Sequence, residues 1–442
     1  MSPSILRVRS DDKLPEQADA VIIGGGIVGV STAYFLAQRG LSVVILEKGY
    51  IGGEQSSRNW GWCRQQNRDA RELPLSGLSM RLWDEMARDI GRDLGFQRCG
   101  LYYASDDPKQ LATWEAWGAQ HGRPFGVRTR MLDAKEAESV MRGSSTRKWL
   151  GGVHSMDDGT ADPALAAPGI AEGARAFGAT IHQDCAARGL DISNGAISGV
   201  FTEKGLVRTG AVVCAGGAWA SGFCRRHGIS FPQASVRASV LRTPPIEGLA
   251  PALATPECTL TRRPDGGYIV AISGKGTLEL TPQGLRYARD FMPMFVKRLK
   301  AVEIGVGSSF FRGPEALNRW EFDEKSPFEQ IRVLDPVPDQ KAINYLLDSF
   351  KRLYPALPGI TVSQAWGAYI DSTPDAVPVI SPVDRIQGFV LAAGFSGHGF
   401  GLGPGAGQLA ASMVTGDAPP VDPTPFRYSR FGDGSKVKVG AI

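Results

Sequence analysis

The chain has 442 residues, 43% of them apolar and 21% charged, with a formal net charge of +4. That length predicts two domains, the composition is that of an ordinary globular protein, and so small a net charge argues against nucleic acid as the main partner. The six cysteines (Cys63, Cys99, Cys185, Cys214, Cys224, Cys258) form no Cys-x-x-Cys pair and the few histidines are scattered, which argues against a zinc or iron–sulfur site.

Residues 1–17 read as a loose, charged leader. They carry no apolar core or cleavage pattern of a signal peptide, and no apolar run reaches the ~18–20 residues that cross a bilayer. The expectation is a cytoplasmic protein with reduced thiols.

The stretch after the leader is the most informative. Val21-Ile22-Ile23 enters Gly24-Gly25-Gly26-Ile27-Val28-Gly29, which opens into the helical pattern Val30 to Ala37. A second apolar run, Leu41 to Leu46, then ends on Glu47. Strand, Gly-x-Gly-x-x-Gly, helix, strand and an acid about 20 residues on form a dinucleotide clamp. Gly24 makes the tight turn, Gly26 admits a pyrophosphate, Gly29 permits close helix–strand packing, and Glu47 meets the ribose hydroxyls. The free N–H groups of the helix terminus face the phosphates.

After the clamp comes a polar loop, Ile51 to Arg58, and then Asn59-Trp60-Gly61-Trp62, where a glycine between two aromatics suits either a packed turn or backbone against a flat ring. Apolar residues at Leu75, Leu78, Leu82 and Met86 predict a helix over 75–90. Residues 97–105 read as a strand and 107–142 as helical. Near 151 the nucleotide-domain pattern resumes. Asp162-Pro163 predicts a helix start, running to about Phe177. A strand follows from Gly178 through Leu190, then an Asn194-Gly195 hairpin turn. The apolar run Ala211 to Cys214 ends in Ala215-Gly216-Gly217-Ala218-Trp219, small residues that let backbone lie against a ligand or a helix.

Strands are expected at 234–241, 259–261 and 268–272. Leu285 to Val302, including Lys300, is basic and amphipathic; it reads as a packed surface helix broken near Pro293, with peripheral membrane contact as the other reading. Phe389 to Gly394 is a strand leading into Phe395-Ser396-Gly397-His398-Gly399-Phe400-Gly401-Leu402-Gly403-Pro404 and an alanine-rich helix, a second glycine loop. The tail after Gly416 is proline-rich and is expected along the surface.

With both glycine elements in view, the sequence resembles the glutathione-reductase-type FAD proteins. Within them it resembles the D-amino-acid oxidase, glycine oxidase and sarcosine oxidase superfamily. The resemblance rests on the clamp with Glu47, Ala215 to Trp219, Pro374-Asp375-Ala376-Val377-Pro378-Val379-Ile380, and Gly394 to Phe400. Gly53 to Arg58, Cys185 to Leu190, Thr202 to Gly205 and Ser326-Pro327-Phe328-Glu329 are closer to bacterial L-amino-acid deaminases, and Gly399 to Pro404 is also similar to opine-oxidase-like flavoproteins. Three departures from the deaminases stand out. Their membrane-anchoring N-terminal helix is not found, Trp62 stands where they have Gln, and Ser273 stands where an Arg is expected to hold the substrate carboxylate.

The resemblance implies an α/β fold. A discontinuous Rossmann FAD domain (18–90, 150–225, 365–420) joins an α+β substrate domain with an antiparallel sheet (91–149, 226–364), and 421–442 forms a tail. Expected contacts to non-covalent FAD are Gly24, Gly26, Ile27, Val28, Gly29, Glu47 and Lys48; Ser56, Ser57, Arg58, Gly61 and Trp62; Ala187, Ala215, Gly216 and Trp219; and Gly394, His398, Gly399, Phe400 and Gly401. The implied reaction is hydride transfer from an L-amino acid to FAD, giving a 2-oxo acid and ammonia, with oxygen or another electron acceptor. A basic substrate such as arginine would need an acid, for which Glu54, Asp371 and Glu315 are available. A secondary amine (opine, sarcosine or hydroxyproline) is the alternative substrate, and a flavoprotein subunit of a hetero-oligomer is a third reading; a homo-oligomer is also compatible. A guanidinium binds a carboxylate bidentately, which makes Arg64, Arg262 and Arg312 the candidate carboxylate anchors, and Arg64 ranks first because it closely follows the expected flavin loop. Tyr268 and Tyr369 are expected to offer hydroxyls in the pocket, and Trp366 to Tyr369 to face the flavin.

Overall fold

The computed structural model describes residues 3–145, 148–272, 274–299, 302–357, 359–436 and 438–440. The clamp folds as read: β1 (Ala20–Ile23), α1 (Ile27–Gln38) and β2 (Val43–Leu46). β1 and β2 run parallel, from Ala20 opposite Val43 to Ile23 opposite Leu46. Both strands are buried throughout, which continuous runs of Val and Ile favour in a two-sided parallel sheet.

These strands are the middle of a six-stranded sheet. Its spatial order is Val379–Pro382, Phe389–Ala393, Val212–Cys214, β1, β2 and Thr180–His182. All neighbours are parallel except Val379–Pro382, which runs antiparallel at the edge. One face carries α1 and the helices Ala166–Ala176 and Gly399–Thr415. On the other face Trp219, Phe223, Phe231 and Phe328 build a second core.

A ten-stranded, largely antiparallel sheet forms the other layer, centred on Ala234–Pro245. The helix Gln340–Leu353 covers its outer face with Ile343, Leu346 and Phe350.

Two expected boundaries move. Gly151–Ser155 pairs with Leu101–Ser105 and Thr129–Leu132 in the ten-stranded sheet, so the nucleotide domain resumes after this strand rather than at 150. Gln364–Ser372 pairs along Ala234–Pro245, from Ala234 opposite Ser372 to Arg242 opposite Gln364, and so belongs to the ten-stranded sheet rather than to the domain expected from 365. Sheet partners are distant in sequence, and neither strand carries a local mark of its partner.

Other expectations change in detail. The 107–142 segment is not one helical block: helices Pro108–Trp117 and Ala134–Val140 flank the strand Thr129–Leu132. Gly178 to Leu190 is two strands in different sheets, Thr180–His182 and Ala187–Ser193. The leader is tied down, with Leu6 N–H donating to Ala164 O and Asp11 N–H to Ile181 O. The tail is pinned by buried Phe426 and by Arg430, whose Nε donates to Asp375 Oδ2 at 3.0 Å.

The basic amphipathic stretch departs most. Helix Ala288–Arg298 continues through Pro293 and buries none of its residues, leaving Met292 51% and Val296 68% exposed. Lys300 lies outside the described residues. No helix among the described residues is long and apolar enough to cross a membrane.

Glycines set the distance between α1 and Gly399–Thr415. A Cβ on Gly403 would stand 2.5 Å from Ile27 Cγ1, and one on Gly407 would overlap Ser31. Overpacking a close-packed core costs about 1–3 kcal/mol. Gly407→Leu should therefore lower stability by at least that much in a urea titration, whereas Gly210→Leu, at an exposed glycine without a left-handed φ, should cost less because no atom stands within 4 Å of its added Cβ. Equal losses would show that the helix contact is not the constraint.

Candidate functional site

A cavity of about 1600 Å³, counted with its open mouth, runs between the two sheets from the clamp to the second glycine loop. At the clamp end, Gly24 takes φ +108°, in the left-handed region, and its N–H donates to Leu46 O at 2.9 Å. A Cβ on Gly29 would overlap Gly24 O, the close helix–strand approach that the motif requires. Ile27 N–H, at the start of α1, donates to Ser56 Oγ at 2.9 Å.

Glu47 closes this end. Its Oε2 accepts from Gly25 N–H and its Oε1 from Gly49 N–H, each at 2.7 Å. Burial pushes its carboxyl above the ordinary range, against the pull of Lys48 and the two amides. Lys48 Nζ donates to Glu54 Oε1 at 2.6 Å, and Glu54 also accepts from Trp219 Nε1 at 3.2 Å.

Of the residues expected at a cofactor, Gly24, Gly26, Ile27, Val28, Glu47, Lys48, Ser56, Arg58, Trp62, Ala187, Ala215, Gly216, Trp219, Gly399 and Phe400 line the cavity. Gly29, Ser57, Gly61, Gly394, His398 and Gly401 do not; several act behind the wall. Gly401 packs against Trp62 and Cys63, and a Cβ on Gly61 would stand 2.5 Å from Ala161 O. His398 Nδ1 lies 2.9 Å from Glu72 Oε2, both buried. Burial pulls the His398 ring down to about 4, so it is neutral near pH 7 and its Nδ1–H donates to Glu72.

The expected catalytic residues fare unevenly. Tyr268 does not reach the cavity: alternation turns it to the outer core, where its hydroxyl donates to Leu249 O at 3.0 Å. Arg64 is not in the lining, and its Nη1 donates to Gln66 O at 2.6 Å. It sits beside buried Arg68, whose guanidinium burial pulls down to about 9, and near Asp158, which accepts from Gln65 and Gln66 N–H. Tyr369 lines the cavity, but its hydroxyl donates to Glu279 Oε2 at 3.0 Å. Trp366 lies outside the cavity lining, although it packs on cavity-lining Val240, and its Nε1 donates to Arg58 O at 2.9 Å. Ser273 lies outside the described residues.

Sequence reasoning passed over several lining residues. Gln55 is one; its Nε2 is buried with no hydrogen-bond partner. Phe328 arrives from a distant segment, and Ala238, Val240 and Ile370 come from the facing strands of the second sheet, beside Ala368 of the stretch expected at the flavin. The strand alternation of Ala234 to Leu241 could have found Ala238 and Val240; no local signal marks Phe328.

The segment around Phe328 forms a strap held to the nucleotide domain by charge. Glu329 chelates Arg188 at 2.7 and 3.0 Å and caps Ser326, accepting from its N–H at 2.8 Å. Arg332 pairs with Glu203, and Arg58 with Asp335 at 2.5 Å. Leu334 N–H donates to Glu54 Oε1 at 2.9 Å.

Burial raises the Glu329 carboxyl, but the bonds from Arg188 and Ser326 outweigh it and hold the group at about 2, down from 4.5. A depressed carboxyl adds stability above its unfolded pKa, and this is lost as pH falls through the folded one. Glu329→Gln should cost about 1.5–3 kcal/mol at pH 7. The gap to the parent should close between pH 4.5 and pH 2 in urea unfolding at a series of pH values. A gap independent of pH would show that ionisation of Glu329 contributes nothing.

Residues 19–413 match the family model described as FAD dependent oxidoreductase. The structure is similar to that of L-amino acid deaminase from Proteus myxofaciens, with a TM-score of 0.90, 32% identity, and coverage of 97% of this chain and 96% of that one. The sequence is 26% identical to sarcosine oxidase subunit beta of Rhizobium meliloti, covering 96% of this chain and 91% of that protein. It is 25% identical to mitochondrial sarcosine dehydrogenase of Homo sapiens over 95% of this chain but spans only 42% of that protein's length. The clamp, the second glycine loop and these similarities make the chain a member of the FAD dependent oxidoreductase family, with relatives acting on amino acids and amines.

Proposed function

We propose that this chain carries out oxidative deamination of an L-amino acid with an apolar side chain, yielding a 2-oxo acid and ammonia. The observation that carries the reading is the wall opposite the clamp domain. Ala238 and Ala368 are cross-strand neighbours there, with Val240, Ile370, Trp60 and Trp62 around them. A wall of small aliphatic and aromatic side chains accepts an apolar substituent and offers no carboxylate to a distal cation. The solved L-amino acid deaminase, 32% identical, supports the same reaction class.

The acids considered for a basic substrate do not suit it. Glu54 is already bound to Lys48, Trp219 and Leu334. Glu315 is outside the lining. Asp371 is in it, but accepts from Gly394 N–H at 2.9 Å and Gln233 Nε2 at 3.1 Å, and burial raises its carboxyl to about 6.

The residues present fit FAD. Glu47 would receive the ribose hydroxyls, the α1 terminus at Gly26 and Ile27 the pyrophosphate, and the unpartnered Gln55 Nε2 would find an acceptor on the cofactor. When bound, FAD supplies a two-electron acceptor for the hydride leaving the substrate Cα. The chain itself orients and desolvates the substrate against the apolar wall, so that its Cα–H is presented in a reactive geometry. The oxidised substrate then takes up water and releases ammonia.

Two measurements test this. Anaerobic mixing of the holoenzyme with L-leucine or L-phenylalanine should bleach the flavin absorbance, with D-isomers, L-arginine and sarcosine much slower. Faster bleaching by sarcosine would overturn the amino-acid reading, and faster bleaching by arginine the apolar one. For the cofactor, Glu47→Ala should weaken FAD binding to apoprotein by roughly 10–100-fold, the equivalent of a charged hydrogen bond. Unchanged affinity by fluorescence quenching would remove Glu47 from the site.

A further inference from the structure

A second cavity lies on the same sheet face as the flavin cavity. Along Ala234–Pro245, residues Ala238, Val240 and Arg242 share one face. Their partners on Gln364–Ser372 are Ala368, Trp366 and Gln364. The face therefore changes from apolar to polar at Trp366. Beyond Trp366 a chamber of about 480 Å³, counted with its mouth, is lined by Arg242, Arg263, Gln364, Ser57, Ile269 and the N-terminal residue Ser4, among others. The N-terminal segment is held over it by the hydrogen bond from Leu6 N–H to Ala164 O at 3.1 Å.

Two guanidiniums converge here, Arg242 from the strand Ala234–Pro245 and Arg263 from the connection just after the strand Thr259–Arg262. Arg263 Nη1 donates to Asp162 Oδ1 at 2.5 Å, and Arg242 pairs with Asp265 through Nη2. Neither aspartate lines the chamber. Each guanidinium carries five N–H donors, and these ion pairs use one nitrogen of each. Burial lowers the pKa of Arg242 and so does the charge of Arg263 beside it, while Asp162 pulls the other way. An anion between the two cations would offset their mutual repulsion. A guanidinium fork matches the oxygen spacing of carboxylate and phosphate, while Gln364 and Ser57 add neutral polar groups.

We infer that this chamber is a binding site for a small oxyanion, a carboxylate or inorganic phosphate, held between Arg242 and Arg263 and separated from the flavin cavity by Trp366. This function does not depend on which amine the flavin site oxidises.

Calorimetric titration of the holoenzyme with acetate, inorganic phosphate and chloride at constant ionic strength tests it. Saturable heat is expected with acetate or phosphate and none with chloride, and the stronger of the two names the source. Arg242→Gln should weaken that binding at least tenfold. Arg242→Lys, which keeps the charge and so protects folding, should weaken it less, because the fork is lost but the attraction is not. No saturable heat with either oxyanion, or binding of unchanged strength in both variants, would overturn the site.

Discussion

The closeness of backbone to backbone at the glycines governs this molecule. α1 can start where it does because Gly29 has no Cβ to meet the Gly24 carbonyl, and the Gly399–Thr415 helix can lie on α1 because Gly403 and Gly407 leave room for Ile27 and Ser31. Interiors pack near crystal density, so no looser arrangement would absorb a side chain at these points. Both helix starts thus face one cavity, and the cavity's length and polarity follow from their separation.

A second constraint is electrostatic and spans the domains. The strap carrying Phe328 originates among residues of the second layer but is fastened to the nucleotide layer through Glu329–Arg188, Arg332–Glu203 and Asp335–Arg58. Such pairs have value in a partly buried setting, where hydrogen bonds accompany the charge and solvent screening is reduced. They place an aromatic wall over the cavity without needing a continuous hydrophobic seam. The same face of the ten-stranded sheet then serves two chambers, an apolar one at Ala238 and Ala368 and a cationic one at Arg242, with Trp366 as the partition.

The candidate site was legible where its signal is local. Gly24 to Gly29, Glu47, Ala215 to Trp219 and Gly399-Phe400 each combine a turn with a small residue in consecutive positions, and each reaches the cavity or supports its wall. Tyr268, Arg64 and His398 had plausible chemistry but no local indication of direction. Tyr268 is one residue out of phase with the cavity face of its strand and hydrogen-bonds on the outer side. Arg64 spends a donor on Gln66 O, and His398 on Glu72. A period-2 strand reverses every side chain on a shift of one residue, and only the register decides which way it points.

The sequence by itself determined the nucleotide clamp, the cofactor class and the family, because strand–glycine–helix geometry is set by backbone sterics within a few residues. The tertiary structure alone decided that Gly151–Ser155 and Gln364–Ser372 join the second sheet, that Phe328 roofs the cavity, and that the chamber opposite the clamp is apolar rather than acidic. These depend on pairings between residues tens to hundreds of positions apart. The free energy that selects such pairings comes from burying two faces together, which no single segment carries on its own.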